Sequence, residues 1–271
     1  MTKHQRSIAL GFGLGTVLAS LLCASGARAN DGGISFGGSP RLLTGHQSVT
    51  MQSEVVRVNV GEDKVHVDCQ FVFQNAGPAC TVRMGFPDQS RGADSPEEEG
   101  EQNPPKGAFL SYVSYVDGVR VPTQTLHAGE SGNFWHAKTV HFAANGRHRV
   151  HDVYSLGVGS QIAAMGNGGY RQTYYILHTG SSWHGSIGHT QVIVTFSPAA
   201  TSAPLVLKPL SSIPQQEPAA YHWEHSPKGL VIYRGPSRPQ VQGRTLRFER
   251  SHWRPAYKDD ILLYFGYRKS Q

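Results

Sequence analysis

From Lys64 to Gln74 the residues Val65, Val67, Cys69, Phe71 and Phe73 interleave with Lys64, His66, Asp68 and Gln70. A period of two predicts a β-strand with one buried face. Asn75-Ala76-Gly77-Pro78 reads as a turn. Cys80, Val82, Met84 and Phe86 then resume the alternation against Thr81 and Arg83, so a hairpin is expected with both cysteines on its apolar face. Ser48–Val60 predicts an earlier strand or strand pair, closed by Gly61-Glu62-Asp63. Ala108–Val116 predicts a strand ending in Asp117-Gly118, a dipeptide suited to a tight hairpin turn, with Val119–Val121 returning. Further strands are expected at Tyr170–His178, Thr190–Phe196, Leu230–Tyr233, Thr245–Phe248 and Ile261–Tyr267. Phe134–Ala144 suits either one helix of about three turns or a short strand pair, and Pro204–Glu217 reads as loop.

Thirty-one glycines and sixteen prolines punctuate these short runs, which favours strands over helices. No repeat of 20–50 residues is evident. The expected fold is all-β: a mainly antiparallel β-sandwich, or two packed β-modules, with little helix. The expected division is an N-terminal module over 30–126 and a C-terminal β-rich module over 127–271. Asp88–Gly107 interrupts the pattern with Asp94, Glu97, Glu98, Glu99 and Glu101 among prolines, and reads as an acidic surface loop. Its acids lack the spacing of a calcium loop.

The first 29 residues have the three parts of a secretory signal peptide. Lys3, His4 and Arg6 form a basic start. Ile8–Cys23 is an apolar, small-residue run shorter than a membrane span. Ala27-Arg28-Ala29 forms a small-x-small site, with the cut expected between Ala29 and Asn30. Cys23 follows Leu21-Leu22, which does not suit lipidation. The chain is therefore expected to be exported to the periplasm or beyond, with no transmembrane segment after the leader. Removing Lys3, Arg6 and Arg28 leaves 22 basic against 19 acidic residues, a net charge of +3. No run of Lys and Arg with interleaved aromatics appears, so nucleic acid is not an expected partner. The expected partner is a protein or a cell-envelope glycan.

Two segments resemble a known family. One runs from Gly37-Gly38 through Val49-x-Met51-x-Ser53-Glu54 and Val58 to Phe73-x-Asn75 and Phe86-Pro87. The other is Thr179-Gly180-x-x-Trp183-x-Gly185-x-Ile187-Gly188, preceded by Tyr174-x-Ile176-Leu177. Together they are similar to an exported bacterial family of unknown function. That family's second proline after Phe-Pro is replaced here by Gln89, and the acidic insertion departs from its pattern. Phe71–Val121 also resembles, at fold level, the N-terminal module of inter-alpha-trypsin inhibitor heavy chains, which implies a β-sandwich used in protein contacts.

Catalytic signatures are sparse. The chain after the leader holds no phosphate-binding loop and no His-Glu-x-x-His, and no cofactor-binding motif is present. Cys69 and Cys80 suggest a disulfide in an oxidising compartment. A loop centred on Gly77 would instead place Cys69 opposite Met84, so two buried thiols remain the alternative. Histidines cluster as His136/His141, His148/His151, His184/His189 and His222/His225; they could hold a metal or simply add charge at mildly acid pH. Flanking glycines make Trp183 either a plug into the core or a stacking platform, with His184 beside it. Tyr174 and Trp223 lie in the other aromatic-dense stretches and complete the candidate ligand-binding set. Asp117, Asp152, Glu224 and Glu249 would serve a glycan hydrolase working with paired acids.

Overall fold

A computed structural model describes residues 34–44, 47–91, 107–127, 133–162 and 168–269. The expected signal peptide, its expected cleavage site and residues 92–106 of the acidic segment lie outside them. The strands are β1 (Ile34–Gly38), β2 (Arg41–Leu42), β3 (Val49–Val60), β4 (Lys64–Asn75), β5 (Cys80–Arg91), β6 (Ser111–Val116), β7 (Val119–Val121), β8 (Gln124–His127) and β9 (Asn133–Phe142). They continue as β10 (Arg147–Gly157), β11 (Gly159–Ile162), β12 (Gly168–Ile176), β13 (Ile187–Phe196), β14 (Val206–Pro209), β15 (Leu230–Arg234), β16 (Gln240–Gln242), β17 (Thr245–Trp253) and β18 (Ile261–Lys269).

Among the described residues these form two sheets. The first runs β14-β15-β18-β12-β1-β5-β9-β8, with β11 also on β12 and β2 on β5; the second runs β16-β17-β13-β3-β4-β10-β6-β7. Most pairings are antiparallel, and the sheets pack face to face, so the protein is an all-β sandwich. Both sheets take strands from either side of residue 126: β1 pairs in parallel with β12, and β3 with β13.

β4 shows how alternation builds the core. Val65, Val67, Cys69, Phe71 and Phe73 are each at most 2% exposed, while Lys64, His66 and Gln70 face solvent. Asp117 and Gly118 both have positive φ, at 49° and 83°, and turn β6 into β7, the twist a two-residue hairpin needs. The ambiguous Phe134–Ala144 segment forms strand: its Phe134, Val140 and Phe142 point into the core from β9.

Three expectations are corrected. β4 and β5 do not form a hairpin. β4 pairs with β3 and β10 in the second sheet, whereas β5 pairs with β1 and β9 in the first. The turn after Asn75 therefore carries the chain across the sandwich. This overturns the disulfide: Cys69 and Cys80 lie on opposite sheets, and both are free thiols. Finally, Asp88–Arg91 are not loop but the end of β5. Asp88 is buried, accepting from the Ala108 amide at 2.7 Å and lying 2.9 Å from His136 Nε2.

Part of the first sheet is covered on both faces. On β15, Val231 and Tyr233 face the main core, while Leu230 and Ile232 face a second cluster with Tyr170, Leu210, Ile213, Trp223 and Tyr264. The segment from Val206 to His225, mostly single 3-10 turns after β14, supplies that outer layer. Burial on both sides explains why Leu230–Tyr233 reads as an unbroken apolar run.

Candidate functional site

The motif residues converge on a buried node. Glu54, fully buried on β3, accepts hydrogen bonds from Ser39 Oγ, from Tyr175 Oη at 3.1 Å and from Thr190 Oγ1 at 3.4 Å. Burial drives its carboxyl up from 4.5 to about 7, against the pull of those hydroxyls. Ser39 is itself held by Thr179, whose hydroxyl donates to the Ser39 carbonyl at 2.6 Å. Trp183 is 1% exposed; its ring packs 4.4 Å from Phe73 and its Nε1 donates to the Pro40 carbonyl at 2.7 Å. The indole thus plugs the turn into the core, leaving no face for a ligand, while His184 beside it is exposed.

Asp260 forms a second anchor. It is fully buried and accepts from the backbone amides of Leu177 and His178 at 2.8 and 2.9 Å and from Tyr174 Oη at 2.6 Å. His178 Nδ1 lies 2.8 Å from it. Tyr174 is occupied in this way, and its phenol is held well above the ordinary range by burial and by Asp260. A third node crosses the sandwich: Lys138 of β9 donates to both oxygens of Asp152 of β10 at 2.6 and 2.8 Å, and Tyr112 Oη adds a bond at 2.9 Å. Burial lowers the Lys138 ammonium, which Asp152 opposes.

These placements separate the four candidate acids. Asp152 is locked in its ion pair, Asp117 sits in the β6–β7 turn against His148, and Glu249 lies on β17 beside His189. Among the described residues no three His, Cys, Asp or Glu side chains form a metal-binding group.

The remaining pair of flagged residues, Trp223 and Glu224, meets at a cleft. It occupies about 310 Å³ beside the outer layer, between the loop after β13, the turn before β15 and the ends of β12 and β18. Trp223, 1% exposed, backs it; the ring stacks on Tyr170 at 4.8 Å and Nε1 donates to the Pro218 carbonyl at 2.8 Å. Arg171, Lys228 and Arg268 bring three cations to its wall, and Glu224 one carboxylate. The arginines are pre-set. Arg171 donates to the carbonyls of Glu62 and Ala199 at 2.7 and 3.1 Å, and Arg268 pairs with the Glu62 carboxylate. Burial, then the neighbouring Arg268, lowers Arg171. A backbone hydrogen bond, with His225 and His222 nearby, lowers Glu224. Gly266 has φ 62°, and a Cβ there would lie 2.6 Å from the Ala200 carbonyl oxygen, so only glycine lets β18 close this edge. Sequence reading singled out Trp223 and Glu224 but missed Arg171, Lys228 and Arg268, which belong to no motif.

The fold has relatives among solved structures. A Legionella pneumophila protein provisionally named as nutrient-binding aligns over 87% of this chain and 73% of its own, with TM-score 0.58 and 19% identity. An M1 zinc metallopeptidase of Deinococcus radiodurans aligns over 82% of this chain and 43% of its own, with TM-score 0.37 and 12% identity. Yeast LTA4 hydrolase aligns over 83% and 30%, with TM-score 0.43 and 10% identity. The first likeness is one of fold; the other two are too distant to carry an argument. No family model and no curated protein matches the sequence.

Proposed function

We propose that this is an exported binding protein that takes a small polar ligand in the cleft backed by Trp223. The cleft carries the reading: its volume lies at the lower end of the range for small-molecule sites, and its two arginines are held in place before any ligand arrives. Arg268 and Lys228 suit a carboxylate or phosphate on the ligand, and Glu224 suits a donor such as an amine or hydroxyl. The nutrient-binding name of the Legionella protein supports a binding role, and the leader supports export.

A thermal-shift screen with amino acids, dicarboxylates and sugar phosphates tests it. A ligand that raises the melting temperature of the native chain should lose that effect in an Arg268→Gln/Lys228→Gln variant. Equal shifts in both proteins would place the ligand elsewhere.

A further inference from the structure

The outward face of the second sheet is a basic platform. Strand alternation and the cross-strand register define it. One row reads Arg120, Tyr115, His151, Gln70, Val55, Gln191, Glu249; the next reads Val113, Val153, Asp68, Arg57, Ile193, Arg247. Arg147, Arg149 and Lys64 stand on the same face of β10 and β4. Six cations, Arg57, Lys64, Arg120, Arg147, Arg149 and Arg247, thus share a face with two acids, Asp68 and Glu249. The face's balance of +4 exceeds the +3 of the whole chain after the leader.

Its two acids are already engaged. Asp68 lies 2.9 Å from His151 Nε2 and accepts from Gln70 at 3.3 Å, and Glu249 lies 3.6 Å from His189. Asp117 stands at the rim, accepting from the Arg149 amide and facing His148. The side chains of Arg57, Arg120, Arg147 and Arg247 make no hydrogen bond or ion pair among the described residues. They are exposed, as are Asn59, His66 and Gln70 on the two central strands. From Arg247 on β17 to Arg120 on β7 is six strand spacings, about 29 Å.

We infer that this face binds an acidic polysaccharide, a sugar chain bearing carboxylates or other anionic groups, laid across the strands. Charge complementarity selects an anion, and the breadth of the arginine track selects a chain over a single small molecule. The outward amides of Asn59 and Gln191 beside the arginines match hydroxyl groups. Single-stranded nucleic acid would call for a series of aromatic platforms, and the face offers Tyr115, stacked on His151 at 5.6 Å. A lipid surface would call for protruding apolar side chains, whereas Val55, Val72, Val113, Val153 and Ile193 are half-buried. The inference does not depend on the cleft.

The test measures binding of the chain from Asn30 onward to polygalacturonate, with dextran, mixed-sequence duplex DNA and phosphatidylglycerol vesicles as comparison probes. The expected result is salt-sensitive binding to polygalacturonate, none to dextran, and weaker binding to DNA and vesicles. Arg57→Gln/Arg149→Gln/Arg247→Gln should weaken polygalacturonate binding roughly tenfold or more at an unchanged melting temperature. Three results would overturn the inference: no binding to polygalacturonate, equal binding by the triple variant, or tighter binding to DNA or vesicles. If the triple variant melts lower, the single variants Arg57→Gln and Arg247→Gln decide, each expected to weaken binding.

Discussion

Glu54 makes stability fall as pH rises. Three hydroxyls lie against its carboxyl and, among the described residues, no cation does, so nothing offsets the cost of ionising it inside the sandwich. Its folded-state value of about 7 stands above the 4.5 of the unfolded chain. Between those values the folded state holds a proton that the unfolded state has released, so stability declines with rising pH. The group's contribution is fully present below 4.5 and gone above about 7. At about 1.4 kcal/mol per pH unit, the loss across that window is about 3 kcal/mol. Glu54→Gln keeps the shape and the acceptor for Ser39 and Tyr175 but cannot ionise. Urea unfolding of both proteins at a series of pH values isolates the effect, because every other titrating group is common to both. The wild type should lose about 3 kcal/mol relative to Glu54→Gln between pH 4.5 and 7.5. A difference between the two that stays constant within about 1 kcal/mol across the series would refute the reasoning.

Three further outcomes test the packing. Trp183→Ala should destabilise by roughly 3–5 kcal/mol and Trp183→Phe by less, read as shifts in urea midpoint; an unchanged midpoint for the alanine variant would remove the plug. Lys138→Met alone should cost roughly 3–5 kcal/mol by stranding Asp152, while Lys138→Met/Asp152→Leu should recover most of it; a double variant no better than the single would refute the account of that node. Thiol titration of the chain from Asn30 onward should find two thiols after unfolding without reductant. In the native state Cys80 should react first, because Cys69 is fully buried and its thiol is pushed up by burial and by Asp152; no reactive thiol after unfolding would restore the disulfide.

Strand content was legible because alternation is local. The inner face of β4 could be read directly from Val65 to Phe73. Which sheet each strand joins was not, because alternation says that a face is buried without saying against what. The turn after Asn75 looks the same whether it closes a hairpin or crosses the sandwich, and that ambiguity produced the expected Cys69–Cys80 bridge. The glycines around Trp183 did point to a close approach, since Thr179 and Trp183 bond to the backbone of Ser39 and Pro40. The cleft was half legible. Aromatic density marked Trp223, but Arg171 and Arg268 become neighbours only when β12 pairs with β18, a long-range pairing no local spacing encodes.

Occupancy of the cleft backed by Trp223 by a small polar ligand is open to direct observation. The chain has four tryptophans, Trp135, Trp183, Trp223 and Trp253, whose indole N–H signals can be followed individually by nitrogen–proton NMR once assigned. Titration with a ligand found by thermal shift should move the Trp223 signal and the backbone signals of Lys228, Gly229 and Arg268, and leave Trp183 in place. Movement of Trp183 or Trp253 with Trp223 unchanged would contradict the account.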